Sequence, residues 1–194
     1  MRLRRFDNGM RVLPFRGRHV AAVEWAIAQA VPELPRGNAV AVMDAALFSG
    51  LIDRRGLDAA RRIARGRRGV AARYECWGLV DSRAESPLET FGRLECVDAG
   101  VPPDELQVPL LDAAGRIIGR GDMGWRLGPG RWLIAEMDGR QWHETPDALL
   151  RDRWRQNALM PAADVLRFTA EDLRRPGRVG ATVRAHLQAR RGAR

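Results

Sequence analysis

The sequence predicts an α/β fold, in which a mixed sheet flanked by helices follows a small and mainly helical module. Two alanine-rich stretches, 19–30 and 38–48, carry apolar residues at helical spacing. After them come a helix, three strand-like segments joined by turns, a second helix and a last strand. That order is typical of a small α/β sandwich with a mixed sheet.

A change of composition between residues 81 and 100 divides the chain. We predict an edge hairpin and helical module over 1–82, an α/β domain over 83–176, and a basic C-terminal helix or tail over 177–194. The hairpin is predicted from Asn8–Gly9, a dipeptide that suits the positive φ angles of a type I′ turn.

Local signals place the elements of the α/β domain. Ser86–Pro87–Leu88–Glu89 fits a capping box with proline at the first helical position, so a helix is predicted over 86–98. The remaining predicted elements, in chain order, are strands at 106–112, 116–125 and 131–139, a helix at 147–159 and a strand at 164–172.

Arginine dominates the charge of the chain. All 33 basic residues are arginine, against 24 acidic residues, and the formal net charge is +9. Such a surface attracts phosphate backbones more than neutral metabolites, and arginine binds phosphate bidentately, so nucleic acid is the partner predicted from charge. A GC-rich coding sequence is an alternative source for part of the arginine excess. Because the chain has no lysine, no catalytic step can use one.

The densest basic segment is 54–73, which holds eight arginines and a single acid. We predict that Arg65, Arg67 and Arg68 in this segment contact the phosphates of a nucleic acid, with an affinity that falls as salt rises. A solvated helix face is the alternative interpretation.

Isolated aromatic and sulfur residues are predicted to be buried. Tyr74 and Trp77 follow the basic segment and are assigned to the core rather than to base stacking. Cys76 and Cys96 are too few and too isolated for a disulfide framework or a zinc knuckle, so two buried free thiols are expected. The start of the chain has no signal-like apolar region, and no apolar run approaches membrane-spanning length. We therefore predict a cytoplasmic protein that makes no membrane contact.

Two carboxylates stand in an otherwise apolar, strand-like segment, Leu133–Gly139. Period-2 alternation puts Glu136 and Asp138 on the same face of that strand. If the preceding strand pairs with it in a hairpin symmetric about Pro129, Asp122 lies opposite Glu136 and joins that face. Opposed like charges destabilise a sheet unless something neutralises them.

A divalent cation is the predicted neutraliser. The oxygens of Asp122 and Glu136 suit a hard metal, Mg²⁺ or Mn²⁺, with water and substrate phosphate completing its coordination. A counter-patch of arginines and a proton shared between two acids are the alternatives. Metal held by carboxylates beside a basic surface favours phosphodiester hydrolysis, because the cation polarises the phosphate and lowers the pKa of the attacking water.

Four further residues are candidates for the same site. Glu89 could reach the metal through water from its helix, or could simply cap that helix. His143, just past the acidic strand, is placed to donate or accept a proton, although a lone histidine can also be structural. Arg151 and Arg155 share a helix face at i, i+4 and are predicted to contact phosphate, with solvated ion pairs as the alternative.

Taken together, the motifs resemble a known family. In order they are ESPLE, QVPLLDAAGRIIGRGDMGW, LIAEMDGRQWH, RDRWRQNAL and VLRFT. Over about residues 83–176 the chain resembles the very-short-patch-repair-endonuclease-like branch of the PD-(D/E)XK nuclease superfamily, which implies a restriction-endonuclease-like fold. The N-terminal half is similar to the helical region that precedes such domains in abortive-infection type IV antitoxin-like proteins.

The resemblance also implies roles for single residues. Asp122 matches the aspartate of the superfamily motif and Glu136 the acid of its D/E-x-K element, while Asp138 stands where the lysine normally is. Glu89 matches the acid of the first helix, and His143 matches a histidine that commonly follows the central acidic strand in this branch.

Three functional hypotheses follow. The first is a Mg²⁺- or Mn²⁺-dependent DNA endonuclease of DNA repair or phage defence, working with a repair or defence partner protein. The second is a catalytically inactive DNA-binding or antitoxin-like regulator that retains the nuclease fold. The third is a nuclease directed at RNA.

Overall fold

The computed structural model describes residues 9–112, 114–139 and 163–192. It divides the chain into two compact units, Met1–Glu85 and Ser86–Arg194. The helix predicted over 147–159 lies outside the described residues. The α/β class and the mixed sheet that the sequence predicts are confirmed.

The first unit is mainly helical. Its elements are β1 (Val12–Phe15), β2 (Arg18–Ala21), α1 (Val23–Ala30), α2 (Arg36–Phe48), α3 (Arg54–Ala64) and a 3-10 helix (Ala71–Gly78). Ala28, Val40, Met43 and Ala60 have no exposed surface and form part of the apolar interior of this unit. Asp53 begins α3 as its N-cap, where its side chain accepts a hydrogen bond from the Gly56 N–H at 2.7 Å.

The hairpin turns at a place that the sequence did not indicate. β1 and β2 pair antiparallel with Phe15 opposite Arg18, and the two turn residues, Arg16 and Gly17, have φ angles of +47° and +73°. Positive φ at both central residues is the geometry of a tight type I′ connection. Since β2 extends to Ala21, the predicted start of the first helix at residue 19 was wrong, and α1 begins at Val23. Asn8, the predicted turn residue, lies outside the described residues.

The second unit is built on a four-stranded sheet. Its strands are β3 (Glu105–Leu111), β4 (Ile117–Gly128), β5 (Arg131–Asp138) and β6 (Ala163–Thr169), which lie side by side in that order. The first three strands are antiparallel neighbours, whereas β6 runs parallel to β5. Its helices are α4 (Pro87–Asp98), α5 (Ala170–Leu173) and α6 (Arg178–Gly192). As predicted, Ser86 is the N-cap of α4 and Pro87 its first residue, and the Ser86 Oγ accepts the Glu89 N–H.

The two faces of this sheet belong to different apolar clusters. On one face the strand residues Met123, Trp125 and Leu133 pack with Cys96 of α4 and Val179 of α6. The other face carries a smaller cluster of Val108, Leu110 and Ile134. The larger cluster is the main core of the unit, because it includes two helices as well as the sheet.

The C-terminal helix α6 is an integral part of the second unit. The sequence predicts residues 177–194 as a separate basic helix or tail. The structure instead ties the start of the helix to α4 through the Glu95 carboxylate, which accepts the N–H groups of Gly177 and Val179 at 3.0 and 2.9 Å. Gly180 lies against the Glu95 carbonyl so closely that a Cβ atom there would collide with it.

Both cysteines are free and buried, as predicted. Burial raises the pKa of the Cys96 thiol to about 12, and burial is also the main cause of the raised pKa of Cys76. Both thiols therefore stay protonated at neutral pH. Within the described ranges, no helix has the length and apolar content needed to cross a membrane.

Asp164 on β6 fastens α6 to the sheet, and we expect its removal to weaken the second unit. Its carboxylate accepts hydrogen bonds from Arg190 Nε and Nη2 at 2.7 and 2.8 Å and lies 3.0 Å from His186 Nε2. Burial by itself raises the pKa of Asp164, but the hydrogen bonds and charges of His186 and Arg190 outweigh it, and the net pKa is lowered. Asp164→Asn is expected to reduce the free energy of unfolding by about 1 to 3 kcal/mol near neutral pH.

The pH dependence of this loss is its diagnostic feature. A carboxyl group whose pKa is lowered by folding stabilises the protein above its unfolded-state pKa, about 3.9, and the stabilisation disappears as the pH falls through the lowered value. The difference between wild type and Asp164→Asn should therefore be full at pH 6 and vanish in strong acid, measured by urea unfolding at each pH. Glu171→Gln is the control, because the Glu171–Arg174 pair is exposed and should contribute little. A pH-independent difference would contradict this account.

Candidate active site

The register between β4 and β5 was correctly predicted from a hairpin symmetric about Pro129. Trp125 lies opposite Leu133, and Met123 lies opposite Ala135. The next residues along the two strands are Asp122 and Glu136. The hairpin therefore brings these two acids to neighbouring positions at the end of the β4–β5 ladder.

Asp122 uses its carboxylate to bridge the two strands. Its Oδ2 accepts a hydrogen bond from the backbone N–H of Met137 at 2.7 Å, and Asp122 itself is half-buried. In a regular antiparallel ladder a strand N–H is accepted by a backbone carbonyl of the neighbouring strand. Here the Asp122 carboxylate is the acceptor for the Met137 N–H. This contact fixes the orientation of the Asp122 side chain beside Glu136.

Gln107 on β3 links the sheet to α4. The β3–β4 ladder pairs Leu106 with Met123 and Val108 with Gly121, so Gln107 and Asp122 lie between these two pairs. Gln107 has a φ of +58°, a left-handed conformation that is uncommon for a residue with a side chain. Leu106 and Val108, two residues apart, consequently belong to clusters on opposite faces of the sheet instead of sharing a face.

The Gln107 side chain reaches Glu89. Its Nε2 donates a hydrogen bond to Glu89 Oε2 at 2.9 Å. Glu89 lies in the first turn of α4, and its own N–H is bound by Ser86. The Glu89 carboxylate therefore contacts the side chain of a β3 residue, Gln107, whose position in the sheet neighbours that of Asp122.

Arg167 provides a positive charge at the same end of the sheet. β6 pairs in parallel with β5 so that Arg167 lies opposite Glu136, and Arg167 Nε is 3.2 Å from Glu136 Oε2. This is the arginine counter-charge that the sequence left open as an alternative to a metal. Asp138 ends β5 in an exposed position opposite Thr169.

The neighbouring carboxylates of Asp122 and Glu136 are of the oxygen-donor type that hard divalent cations prefer. Asp122 and Glu136 offer carboxylate oxygens from adjacent strands, and Mg²⁺ is commonly bound by one or two carboxylates together with waters and substrate phosphates. Within residues 9–112, 114–139 and 163–192, no group of three or more His, Cys, Asp or Glu side chains is arranged to hold a metal ion. Asp122 and Glu136 are the residues that would hold a cation at this end of the sheet.

The other predicted site residues lie either outside the described residues or in the first unit. His143, Arg151 and Arg155 lie outside the described residues. Arg65 and Arg68, in the first unit, are exposed just after α3. Arg67 is half-buried and lines a cavity of about 240 Å³ together with Arg68 and the acid Glu33.

Two residues that contact the predicted site acids, Gln107 and Arg167, were not predicted from the sequence. Gln107 could have been singled out as the one polar residue in the apolar strand segment LQVPLL. Nothing in the sequence indicates that its backbone is left-handed. Arg167 was visible as a lone charge in the strand segment VLRFT. Its pairing with Glu136 depends on the parallel register of β5 and β6, which no local pattern specifies.

The chain is similar over most of its length to two proteins of Mycobacterium tuberculosis. They are uncharacterized protein Rv2248 of strain ATCC 25618 / H37Rv and uncharacterized protein MT2308 of strain CDC 1551 / Oshkosh. Each is 35% identical over 187 residues, which cover 95% of this chain and 68% of the relative. The chain belongs to their family. The shared region includes both units, because only a few residues of the chain fall outside the match.

The other two comparisons gave no match. No protein-family model matches the chain, and no solved structure matches it.

Proposed function

We propose that the second unit is a metal-dependent endonuclease that hydrolyses DNA phosphodiester bonds, in DNA repair or phage defence. The observation that carries this proposal is the placement of two acids, Asp122 and Glu136, at neighbouring positions at the end of the β4–β5 ladder. Glu89 of α4 is hydrogen-bonded to Gln107, whose position on β3 neighbours that of Asp122 on β4. A pair of carboxylates that holds a cation, in a chain whose net positive charge attracts phosphate, is suited to phosphodiester hydrolysis.

In this proposal Asp122 and Glu136 hold Mg²⁺ or Mn²⁺. When bound, the cation supplies charge to the scissile phosphate and lowers the pKa of the attacking water. The Met137 N–H keeps Asp122 in place at 2.7 Å, and Gln107 keeps Glu89 in place at 2.9 Å, where Glu89 orients a water molecule. These fixed carboxylates need no rearrangement when the substrate arrives.

Charges from the rest of the chain would hold the DNA. The formal net charge of +9 comes from arginine alone, and arginine makes bidentate contacts to phosphate. Arg151 and Arg155 are assigned to the DNA backbone and His143 to proton transfer on their sequence positions. Asp138, exposed at the end of β5, tunes the charge of the site.

The proposal is tested by cleavage of supercoiled plasmid DNA with Mg²⁺ or Mn²⁺ and with EDTA. Wild type is expected to nick or linearise the plasmid only with metal, and Glu136→Gln is expected to be slower by about 100-fold or more, since it removes a charged ligand. Glu105→Gln is the matched control, because Glu105 is another carboxylate on the same sheet that pairs with an arginine, Arg126, at 3.3 Å. It should cut at the wild-type rate.

A matched RNA substrate is included to identify the nucleic acid. Faster cleavage of RNA than of DNA would replace the proposal with the RNA-directed nuclease. Equal cleavage by wild type and Glu136→Gln would show that the activity does not depend on this site.

A second candidate function is DNA binding without turnover, as in an antitoxin-like regulator. The ion pair between Glu136 and Arg167 supports it, because an arginine that neutralises the acid removes the need for a cation. The outcome that favours this candidate is salt-sensitive DNA binding with no cleavage in any divalent metal and no metal-induced rise in the melting temperature.

A further inference from the structure

Tyr74 is an exposed aromatic residue in the basic part of the first unit. The sequence predicted it to be in the core with Trp77, which was right for Trp77 and wrong for Tyr74. Trp77 is 7% exposed, whereas Tyr74 is 61% exposed. Both belong to the 3-10 helix Ala71–Gly78, in which residues three apart lie on the same side, so their different burial is not set by the helical turn itself.

The backbone that presents Tyr74 is fastened on both sides. Arg73 Nε donates a hydrogen bond to the Leu34 carbonyl oxygen at 2.6 Å. Glu75 Oε1 forms an ion pair with Arg36 Nε at 2.9 Å. Cys76, two residues after Tyr74, is fully buried. The segment that carries the exposed ring is therefore attached to the rest of the first unit by contacts on both sides of Tyr74.

One face of the Tyr74 ring is covered by an arginine of α3. The guanidinium carbon of Arg61 lies 4.6 Å from the ring centroid, which is a cation–π contact. Arg62 and Arg65, from the last turn and the end of the same helix, are exposed nearby in the chain. Proteins bind unpaired nucleotides by combining an exposed aromatic ring, which stacks on a base, with cationic side chains that contact the phosphates. Tyr74 with Arg61 on its ring, and the exposed Arg62 and Arg65 of the same basic segment, supply both kinds of side chain.

We propose that Tyr74, supported by Arg61, is a base-stacking platform for single-stranded nucleic acid on the first unit. The exposed part of the ring receives one unpaired base, and the exposed arginines of α3 receive the adjoining phosphates. A base within a duplex is stacked on its neighbours and cannot lie on the ring, so the platform distinguishes single strands from duplexes. The proposal concerns a surface of the first unit and does not rest on the nuclease activity proposed for the second.

The test measures the binding of fluorescein-labelled 12-residue oligonucleotides by anisotropy, in EDTA so that metal-dependent cleavage cannot occur. Tyr74→Ala is expected to weaken binding of single-stranded DNA on the order of tenfold, as for the loss of one stacked base, and to change duplex binding by less than about twofold. Tyr74→Phe keeps the ring and should bind like wild type. A matched single-stranded RNA of the same sequence shows which of the two polymers the platform accepts, and a loss on either one supports it.

Two controls distinguish a loss of base stacking from a loss of phosphate binding and from the loss of any exposed aromatic ring. An oligonucleotide with abasic residues keeps the phosphates but has no bases, so wild type and Tyr74→Ala should bind it equally. Phe15→Ala is the matched protein control, because Phe15 is 58% exposed and also lies under an arginine, Arg16, but stands on the hairpin, away from α3 in the chain. Unchanged binding of both single-stranded polymers by Tyr74→Ala, or an equal loss with the abasic oligonucleotide, would overturn the proposal.

Discussion

Asp122→Asn is expected to abolish metal-dependent DNA cleavage while leaving the fold intact. Asparagine removes the negative charge that would hold the cation, and loss of such a ligand should slow cleavage by about 100-fold or more. Its side-chain carbonyl oxygen can still accept the Met137 N–H, which Asp122 Oδ2 accepts at 2.7 Å. The free energy of unfolding should therefore change by less than about 1 kcal/mol.

Asp122→Ala separates these two roles of the carboxylate. Alanine removes both the charge and the acceptor, so this variant should be as inactive as Asp122→Asn but less stable by about 1 to 3 kcal/mol, since the N–H of buried Met137 loses its partner. Asp104→Ala is the control, because Asp104 also accepts a backbone N–H, that of Arg126, at 2.7 Å, away from the acidic site. It should lose stability and retain cleavage.

The measurements are plasmid cleavage rates and urea unfolding curves. Full cleavage by Asp122→Asn would show that Asp122 is not a metal ligand. Equal stability of the asparagine and alanine variants would show that the contact with Met137 contributes nothing to folding. The two outcomes are independent, so each role can fail without the other.

Gly180→Ala is expected to destabilise the second unit strongly for so small a substitution. A Cβ atom at this position would meet the Glu95 carbonyl and would lie 2.8 Å from the Ala99 Cβ, so α6 would have to move away from α4. Such overpacking costs about 1 to 3 kcal/mol. The displacement would also strain the two hydrogen bonds from the start of α6 to Glu95, so we expect a loss near the upper end of that range.

Gly139→Ala is the matched control for Gly180→Ala. Gly139 lies in the same unit, is exposed and would place its Cβ in open space. Thermal melts followed by circular dichroism should show a clear drop for Gly180→Ala and little change for Gly139→Ala. A melting temperature for Gly180→Ala within 1 °C of wild type, the error expected of such melts, would mean that α6 does not pack tightly on α4.

The parts of the fold with strong local signals could be predicted from the sequence. Ser86 and Pro87 define the start of α4, and Pro129 with alternating apolar residues defines the β4–β5 register. The pairing of Asp122 and Glu136 at neighbouring positions follows from those signals, because register in a hairpin is fixed by its turn and its buried face.

The parts that could not be predicted depend on unusual local conformations or distant contacts. Arg16 is an uncommon residue at positive φ, so a hairpin turn at that position has no clear signature. The exposure of Tyr74 depends on how its 3-10 helix is packed, and that helix is held by contacts with Arg36 and Leu34, far away in sequence. The same holds for Arg167, which reaches Glu136 only through a parallel strand pair.

The parallel pairing of β5 with β6 has a consequence for the order of folding. Asp122 and Glu136 meet through a hairpin with a short turn, whereas the Arg167 contact with Glu136 spans 31 residues and requires the closure of a long crossover. Contacts between sequence neighbours form faster than those that close long loops. The acids should therefore be assembled before their counter-charge arrives, so substitutions that slow the docking of β6 would prolong a state in which the two carboxylates repel each other.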